Sequence, residues 1–185
     1  MKIFMALKEF LGHALPTPKS ITWGISMTAR SVMDPHPVVL HPDDCVYKAA
    51  DYVMKNRYRR IPVVDDDGRF LGVFGVNCLL RLVLPHAVIM EKGLDSVHFT
   101  RETPADLYRR YLENSNKTIS VCMDKVDVET VGPDTPLLEA VLVLYRTKAS
   151  LPVVDPESQK LLGVISYWDL GEKILEAGSK DVTAQ

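Results

Sequence analysis

The stretch Arg60-Ile61-Pro62-Val63-Val64-Asp65, continued by Phe70-Leu71-Gly72-Val73-Phe74, returns later as Ser150-Leu151-Pro152-Val153-Val154-Asp155 and Leu161-Leu162-Gly163-Val164-Ile165. Gly72 and Gly163 lie 91 residues apart, and the upstream pairs Pro42-Asp43 and Pro133-Asp134 have the same separation. This constant separation predicts two copies of one supersecondary unit. We call them repeat 1 (residues 28–84) and repeat 2 (residues 119–178).

The composition is that of an ordinary globular protein. The 185 residues suffice for one domain or for two small ones that share a core. Because 22 Lys and Arg stand against 24 Asp and Glu, no polycationic face is expected, and nucleic acid is disfavoured as a partner. Cys45, Cys78 and Cys122 are odd in number and widely spaced, which predicts a reducing, cytoplasmic compartment.

The N-terminal part of the chain, residues 1–27, lies outside both repeats. Its apolar residues recur at helical spacing and predict an amphipathic helix, which Pro16 and Pro18 end: Ile3, Phe4, Leu7, Phe10, Leu11 and Leu15. Lys8 and Glu9 interrupt the apolar run too early for a secretion signal or a membrane span. We expect this helix to pack onto the body of the protein or across a dimer.

Each repeat is predicted to have the order β-α-β-β-α. In repeat 1 an extended segment, 35–40, precedes a helix capped by Asp43 or Asp44, with Val46, Ala49, Ala50 and Val53 buried. Strands at 61–64 and 70–74 follow, joined by the turn 65–68, and a helix with Leu79, Leu80, Val83 and Leu84 closes the unit.

Repeat 2 follows the same plan. A strand is predicted at 126–131, then a helix capped by Thr135 with Pro136 at its first position, and then the hairpin. Four residues are expected on the inner face of that helix: Leu138, Val141, Leu142 and Tyr145. The last helix is predicted over 168–175, and residues 179–185 form a polar tail.

Residues 85–118 form an insertion between the repeats. Thr103-Pro104-Ala105-Asp106 predicts a helix start, with threonine as the cap, proline at the first position and an early acidic residue. An insertion of this kind is expected to serve packing or partner binding rather than catalysis.

The repeated pattern resembles a tandem pair of CBS domains, the small modules named for cystathionine β-synthase. The Leu-Pro-Val-Val-Asp and Gly-Val-x-Ser-x-x-Asp elements of that family are clearest between Leu151 and Asp169. The resemblance implies an α+β fold of two β-α-β-β-α modules, packed sheet to sheet about a pseudo-twofold axis. It also implies a regulatory homodimer, with adenosyl ligands such as AMP, ADP, ATP or S-adenosylmethionine in clefts between the modules.

The best match to the family's site is Ser166-Tyr167-Trp168-Asp169. In the family the carboxylate here accepts hydrogen bonds from the ribose hydroxyls, beside a helix N-terminus that can receive phosphate. The same cleft is expected to use Met33, Pro37 and Val38 as a slot for the purine, and Tyr58, Arg59 and Arg60 at its rim. A structural alternative stays open, because Ser-x-x-Asp before a helix also fits a capping box.

The second cleft departs from the pattern. Gly75 and Cys78 stand where repeat 2 has Ser166 and Asp169, and Glu129 stands in the place of Val38. We therefore expect one working cleft and one degenerate cleft. Cys78 allows a redox hypothesis, although an isolated cysteine is ordinarily a small buried hydrophobe.

No catalytic or metal-binding motif is found in the sequence, so we expect no enzyme and no required cofactor. The predicted function is adenine-nucleotide sensing that modulates a separate enzyme or transporter. Two alternatives stay open: a ligand-independent dimerisation or interaction module, and a nucleotide-processing enzyme.

Overall fold

The structure is a computed structural model that describes residues 27–85, 89, 103–126 and 128–183. The amphipathic helix predicted over residues 3–15 lies outside this part of the chain. Among the described residues, no helix is both long and apolar enough to cross a membrane.

Repeat 1 contains three helices and one hairpin: α1 (Ala29–Val32), α2 (Val46–Asn56), β1 (Arg60–Val64), β2 (Phe70–Gly75) and α3 (Val76–Val83). The two strands pair antiparallel. The predicted turn between them forms, since the Asp65 carboxylate accepts hydrogen bonds from the backbone of Asp67 and Arg69, and Gly68 takes a positive φ of 78°.

The insertion contributes α4 (Pro104–Ser115), which begins as predicted. Thr103 is the cap, Pro104 is the first helical residue, and Thr103 and Asp106 form a reciprocal capping box. A short 3-10 helix, Ile119–Val121, then leads into repeat 2.

Repeat 2 contains α5 (Leu137–Thr147), the antiparallel hairpin of β3 (Leu151–Val154) and β4 (Leu161–Ile165), and α6 (Tyr167–Thr183). Helix α6 continues through the predicted tail as far as Thr183. The first strand of each repeat is reduced to a single parallel bridge, Leu40 with Val63 and Val131 with Val153, so the strand predicted over 126–131 is wrong.

The repeats exchange edge segments. Asp34 of repeat 1 bridges to Val164 of β4, and Asp124 at the start of repeat 2 bridges to Val73 of β2. The hairpins also meet directly through the bridge between Arg69 and Lys160. This reciprocal arrangement, together with the repeated element order, confirms the predicted α+β fold of two packed repeats.

Each repeat has a core of its own. Phe74 and Ile61 are fully buried among the helices of repeat 1, and Leu151 and Ile165 hold the same places in repeat 2. Burial of each such side chain contributes about 1.5–3 kcal/mol. The predicted buried set of α2 is confirmed: Val46, Ala49, Ala50 and Val53.

The repeats do not keep one constant separation. Arg57 and Lys148, the left-handed C-caps of α2 and α5, are 91 residues apart, whereas the equivalent strand residues Val63 and Val153 are 90 apart. Repeat 1 therefore has one extra residue between α2 and β1, at Arg59-Arg60. The turn of the repeat 2 hairpin is one residue longer than the turn of the repeat 1 hairpin. Gly72 and Gly163 therefore have the same separation as Arg57 and Lys148.

Two predicted helix caps are wrong. Cys45, and neither Asp43 nor Asp44, is the cap of α2, because the Asp44 carboxylate accepts a bond from the backbone of His41 instead. Pro136 is the cap of α5, so that Thr135 lies one residue too early.

One predicted apolar face is also wrong. In α5 the buried residues are Ala140 and Leu144, whereas the predicted Leu138, Leu142 and Tyr145 are exposed. In α3, Cys78 is fully buried and Leu79 packs against the core of repeat 1, whereas Leu80 is exposed. Helix α5 is apolar on more than one side, so hydrophobic spacing alone does not identify the side that meets the sheet.

Candidate functional site

The main cleft lies between the two repeats and encloses about 370 Å³. Both repeats supply its walls, which include eight of the nine predicted site residues: Pro37, Val38, Tyr58, Arg59, Arg60, Ser166, Trp168 and Asp169. The structure thus brings together side chains that are more than a hundred residues apart in the sequence.

Met33 is the predicted residue that does not line the cleft. Its side chain packs against the core of repeat 2, and its sulfur lies 2.9 Å from the point that a Cβ on Gly163 would occupy. The bridge between Asp34 and Val164 holds this part of the backbone against β4, which turns the neighbouring methionine into the core.

One side of the cleft is apolar. Pro37, Val38 and Pro62 of repeat 1 line it together with Val164 of repeat 2. Two aromatic side chains border this slot: Tyr58, which also stacks on Tyr52 with ring centroids 6.1 Å apart, and the largely exposed Trp168. A flat, apolar slot with aromatic edges suits a planar ring system.

Asp169 lies in the first turn of α6 and forms a capping box with Ser166. Its Oδ2 accepts hydrogen bonds from the Ser166 hydroxyl at 2.6 Å and backbone at 3.1 Å, and the Asp169 backbone donates back to the hydroxyl at 3.2 Å. The capping box that the sequence allowed as a structural alternative is therefore present. Both acceptor bonds use Oδ2, however, and among the described residues Oδ1 receives none, so it can still accept from a ligand.

Arginines form the opposite rim. The Arg59 guanidinium donates to the carbonyl of Lys148 at 2.8 Å, where a cation is favourable because α5 ends there. Burial lowers the pKa of Arg60 from its usual value, and the nearby Asp124 opposes this effect. Arg57, Arg59 and Arg60 line the cleft together with only two carboxylates, those of Asp34 and Asp169.

Sequence reasoning missed several lining residues: Asp34, His36, Arg57, Ala149, Ser150 and Tyr167. Arg57 has a left-handed conformation (φ 59°) that ends α2 and directs the chain toward the cleft. Its counterpart in repeat 2, Lys148, has the same conformation. A basic residue at the same position of both repeats could therefore have been recognised from the sequence.

The second cleft, of about 700 Å³, lies on the opposite side of the repeat boundary and is polar. Arg81 and Asp124 form an ion pair across it at 2.7 Å, and Arg81 also donates to the carbonyl of Cys122 at 2.7 Å. Burial acts to lower the pKa of Arg81, but the hydrogen bond and charge of Asp124 raise it above its usual value. Glu129 is exposed and does not line this cleft.

Gly75 stands where repeat 2 has Ser166, and the backbone explains the difference. A Cβ at Gly75 would lie 2.0 Å from the carbonyl oxygen of Arg59. The extra residue of repeat 1 lies at this point, and Val76 donates a backbone bond to the same oxygen. A serine cannot occupy this position without movement of the backbone.

The cysteines near the second cleft are poorly suited to redox chemistry. Burial raises the pKa of the Cys78 thiol, and it raises that of Cys122 to about 11. Both thiols are therefore protonated at neutral pH, which disfavours the redox hypothesis for Cys78. Across the described residues, no group of His, Cys, Asp and Glu side chains could hold a metal ion.

Comparison with known proteins agrees with this architecture. The family model of the CBS domain matches residues 29–85 and 119–176, which together are more than half of the chain. The chain belongs to the CBS domain family. The resemblance read from the repeated sequence is thereby confirmed.

Related CBS-pair proteins have the same fold. A chain of the CBS-pair protein CBSX2 of Arabidopsis thaliana, in complex with AMP, is 23% identical; the alignment covers 82% of this chain and 98% of that one, with a TM-score of 0.59. The CBS domain pair of protein MJ0100, in complex with 5′-methylthioadenosine and S-adenosyl-L-methionine, is 18% identical over 80% of this chain and 99% of that one, with a TM-score of 0.50.

A curated relative has nearly the same extent as this CBS pair. It is an uncharacterised protein of Methanocaldococcus jannaschii, 23% identical over 82% of this chain and 94% of its own length. A sequence similar to most of this chain thus makes up most of a protein in another organism.

Proposed function

We propose that this CBS pair is a regulatory protein that binds an adenosyl ligand in the Asp169 cleft and modulates a separate enzyme or transporter. The observation that carries the proposal is the convergence in one cleft of an apolar slot, a carboxylate with an available oxygen and several arginines. These three features match the base, the ribose and the phosphate of a nucleotide. AMP, ADP, ATP and S-adenosylmethionine are the candidate ligands.

The ribose contact determines the orientation of the ligand. Asp169 Oδ2 is held by Ser166, so the carboxylate has a fixed direction and Oδ1 is left to accept from the ribose hydroxyls. The volume of about 370 Å³ falls in the range of about 300–1,000 Å³ that is usual for small-molecule sites. The solved complexes of CBSX2 with AMP and of MJ0100 with S-adenosylmethionine support this ligand class.

Regulation requires a ligand that distinguishes two arrangements of the repeats, because equal affinity for both shifts nothing. Two features support such a role: the walls of the cleft come from both repeats, and Arg59 of repeat 1 is bonded to the end of α5 in repeat 2. A phosphate that draws Arg59 away from Lys148 would weaken that connection. We propose that the regulated activity belongs to a separate partner protein.

The protein is further proposed to act as a cytoplasmic homodimer. The helices of repeat 1 carry an apolar groove to which Tyr47, Met54, Leu79, Leu80 and Tyr111 contribute. Exposed apolar surfaces of this kind commonly mark protein interfaces. Cys45, Cys78 and Cys122 are free, which fits a reducing compartment.

Isothermal titration calorimetry with AMP, ADP, ATP and S-adenosylmethionine tests the proposal. Asp169→Asn removes the charge from the ribose acceptor and should weaken binding about 10- to 100-fold, since a hydrogen bond to a charged group contributes about 1.5–3 kcal/mol. Absence of binding by all four ligands would refute the sensor function. Unchanged affinity of Asp169→Asn would refute the site.

Asp106→Asn is the matched control. Asp106 forms an almost identical capping box with Thr103, at 2.7 Å and 3.0 Å, but it lies in the insertion and does not line the cleft. The control should lose a similar capping contribution and keep the full affinity for the ligand. A comparable loss of affinity in both variants would show that helix capping, and not ribose binding, accounts for the effect.

A further inference from the structure

Repeat 2 carries an apolar surface that nothing in the described part of the chain covers. It consists of exposed side chains from α5 and α6, which we call the repeat 2 face: Leu138, Leu142, Tyr145 and Ile174. Leu138 is 82% exposed, Tyr145 is 72% exposed and Ile174 is 62% exposed. Large apolar side chains grouped in this way ordinarily meet a partner.

The equivalent surface of repeat 1 is bordered by a helix from outside the repeat pattern. The positions 91 residues earlier than Leu138 and Tyr145 are Tyr47 and Met54, which line the groove between α2 and α3. There α4, a helix from outside the repeat pattern, packs along the groove with Tyr111 against the core. A helix of the same chain thus borders this face in repeat 1.

The chain before Met27 starts beside the repeat 2 face. The carbonyl of Met27 accepts a backbone bond from Leu137 at 2.9 Å, and Leu137 is the first residue of α5 and the neighbour of Leu138. On the other side, Lys173 of α6 donates to the carbonyl of Ser31 at 2.9 Å. Residues 1–26 therefore join the described structure next to the start of α5.

The linker between the predicted N-terminal helix and Met27 is long enough to reach along α5. Residues 16–26 can span about 36 Å when extended, whereas α5, with 11 residues, is about 16 Å long. The sequence predicts an amphipathic helix over residues 3–15, and its apolar side has six large residues, including Phe4, Phe10 and Leu11. Both the linker and the apolar stripe are long enough to cover the exposed side of α5.

We propose that residues 3–15 pack as an amphipathic helix onto the repeat 2 face of the same chain. The segment then covers in repeat 2 a face that α4 only borders in repeat 1, where Tyr47 and Met54 stay exposed. This arrangement leaves the groove of repeat 1 as the apolar surface available to a second copy. It does not depend on ligand binding in the Asp169 cleft.

Photo-crosslinking of the full-length chain tests this proposal. The substitution Phe10→benzoylphenylalanine places a crosslinker on the apolar side of the segment, and peptide mapping by mass spectrometry identifies what it contacts. A mixture of unlabelled and ¹⁵N-labelled protein separates crosslinks within one chain from those between chains. Crosslinks within one chain to peptides of α5 or α6 are expected. Crosslinks to another element, crosslinks only between chains, or none at all would overturn the proposal.

A pair of double variants provides the control. Leu138→Glu with Tyr145→Glu puts two charges on the repeat 2 face and should abolish most of the crosslink. Tyr47→Glu with Met54→Glu makes the same change at the equivalent positions of repeat 1, where Tyr47 is 58% and Met54 is 61% exposed, and should leave the crosslink intact. Equal loss in both double variants would also contradict the assignment.

Discussion

At Gly75 the backbone of one repeat determines what its cleft can bind. Its extended conformation is open to any residue, but the carbonyl of Arg59 fills the space that a side chain would need. The sequence shows that Ser166 and Asp169 have no counterpart at Gly75 and Cys78. It does not show why, because the single extra residue at Arg59-Arg60 is hidden by the compensating longer turn in repeat 2.

Gly75→Ala is predicted to destabilise the protein by about 1–3 kcal/mol, because the new methyl group would overlap with backbone atoms of Arg59 and Arg60. Chemical denaturation followed by circular dichroism measures the change in the free energy of unfolding. Gly171→Ala is the control: nothing lies within 4 Å of the new Cβ, and the helical position should gain about 0.5–1 kcal/mol. A neutral Gly75→Ala would mean that the backbone near Arg59 moves easily.

At the scale of single elements, short sequence patterns predicted the structure correctly where one strong local interaction determines it. The start of α4 follows from Thr103, Pro104 and Asp106, and the first turn of repeat 1 follows from its aspartates and Gly68. The inner side of α5 could not be predicted in this way. Apolar residues occupy several sides of that helix, and the strands it packs against select Ala140 and Leu144.

The capping box of α4 should make the start of this helix sensitive to acid. Hydrogen bonds from the side chain and backbone of Thr103 lower the pKa of Asp106 below its usual value of 3.8. Because the folded pKa is the lower one, the stabilisation is fully present at neutral pH and is lost as the pH falls below about 3.8, through the folded pKa. NMR chemical shifts of residues 104–108 between pH 7 and the acid range should show the first turn fray.

Asp106→Asn should be frayed more than the wild type at neutral pH, and the difference should disappear in acid. Glu113→Gln removes a charge from the same helix without removing a cap, and it should leave the first turn unchanged. A first turn that stays helical in acid in the wild-type chain would contradict this account.

At the scale of the whole molecule, the repeat is what made the fold predictable. Two copies of one unit with the same element order pack symmetrically through their sheets. The bridges of Asp34 with Val164 and of Asp124 with Val73 form this symmetric contact. The exchange of these edge segments could not be read from the sequence, since each consists of a single bridge without a strand pattern. It is this exchange that places Met33 in the core and not in the cleft.

The same pseudo-symmetry leads to a prediction about assembly. The groove of repeat 1 exposes Leu80 by 54% and Tyr47 by 58%, and burial of such side chains against a second copy would contribute about 1.5–3 kcal/mol each. Sedimentation velocity should therefore show a dimer for the full-length chain. Leu80→Glu should shift it to monomer, because a charge would be buried in the apolar contact. Val126→Glu changes a residue that is 78% exposed in the second cleft, outside the groove, and should remain dimeric. A monomeric wild-type chain, or a dimer that survives Leu80→Glu, would exclude the groove as the contact between copies.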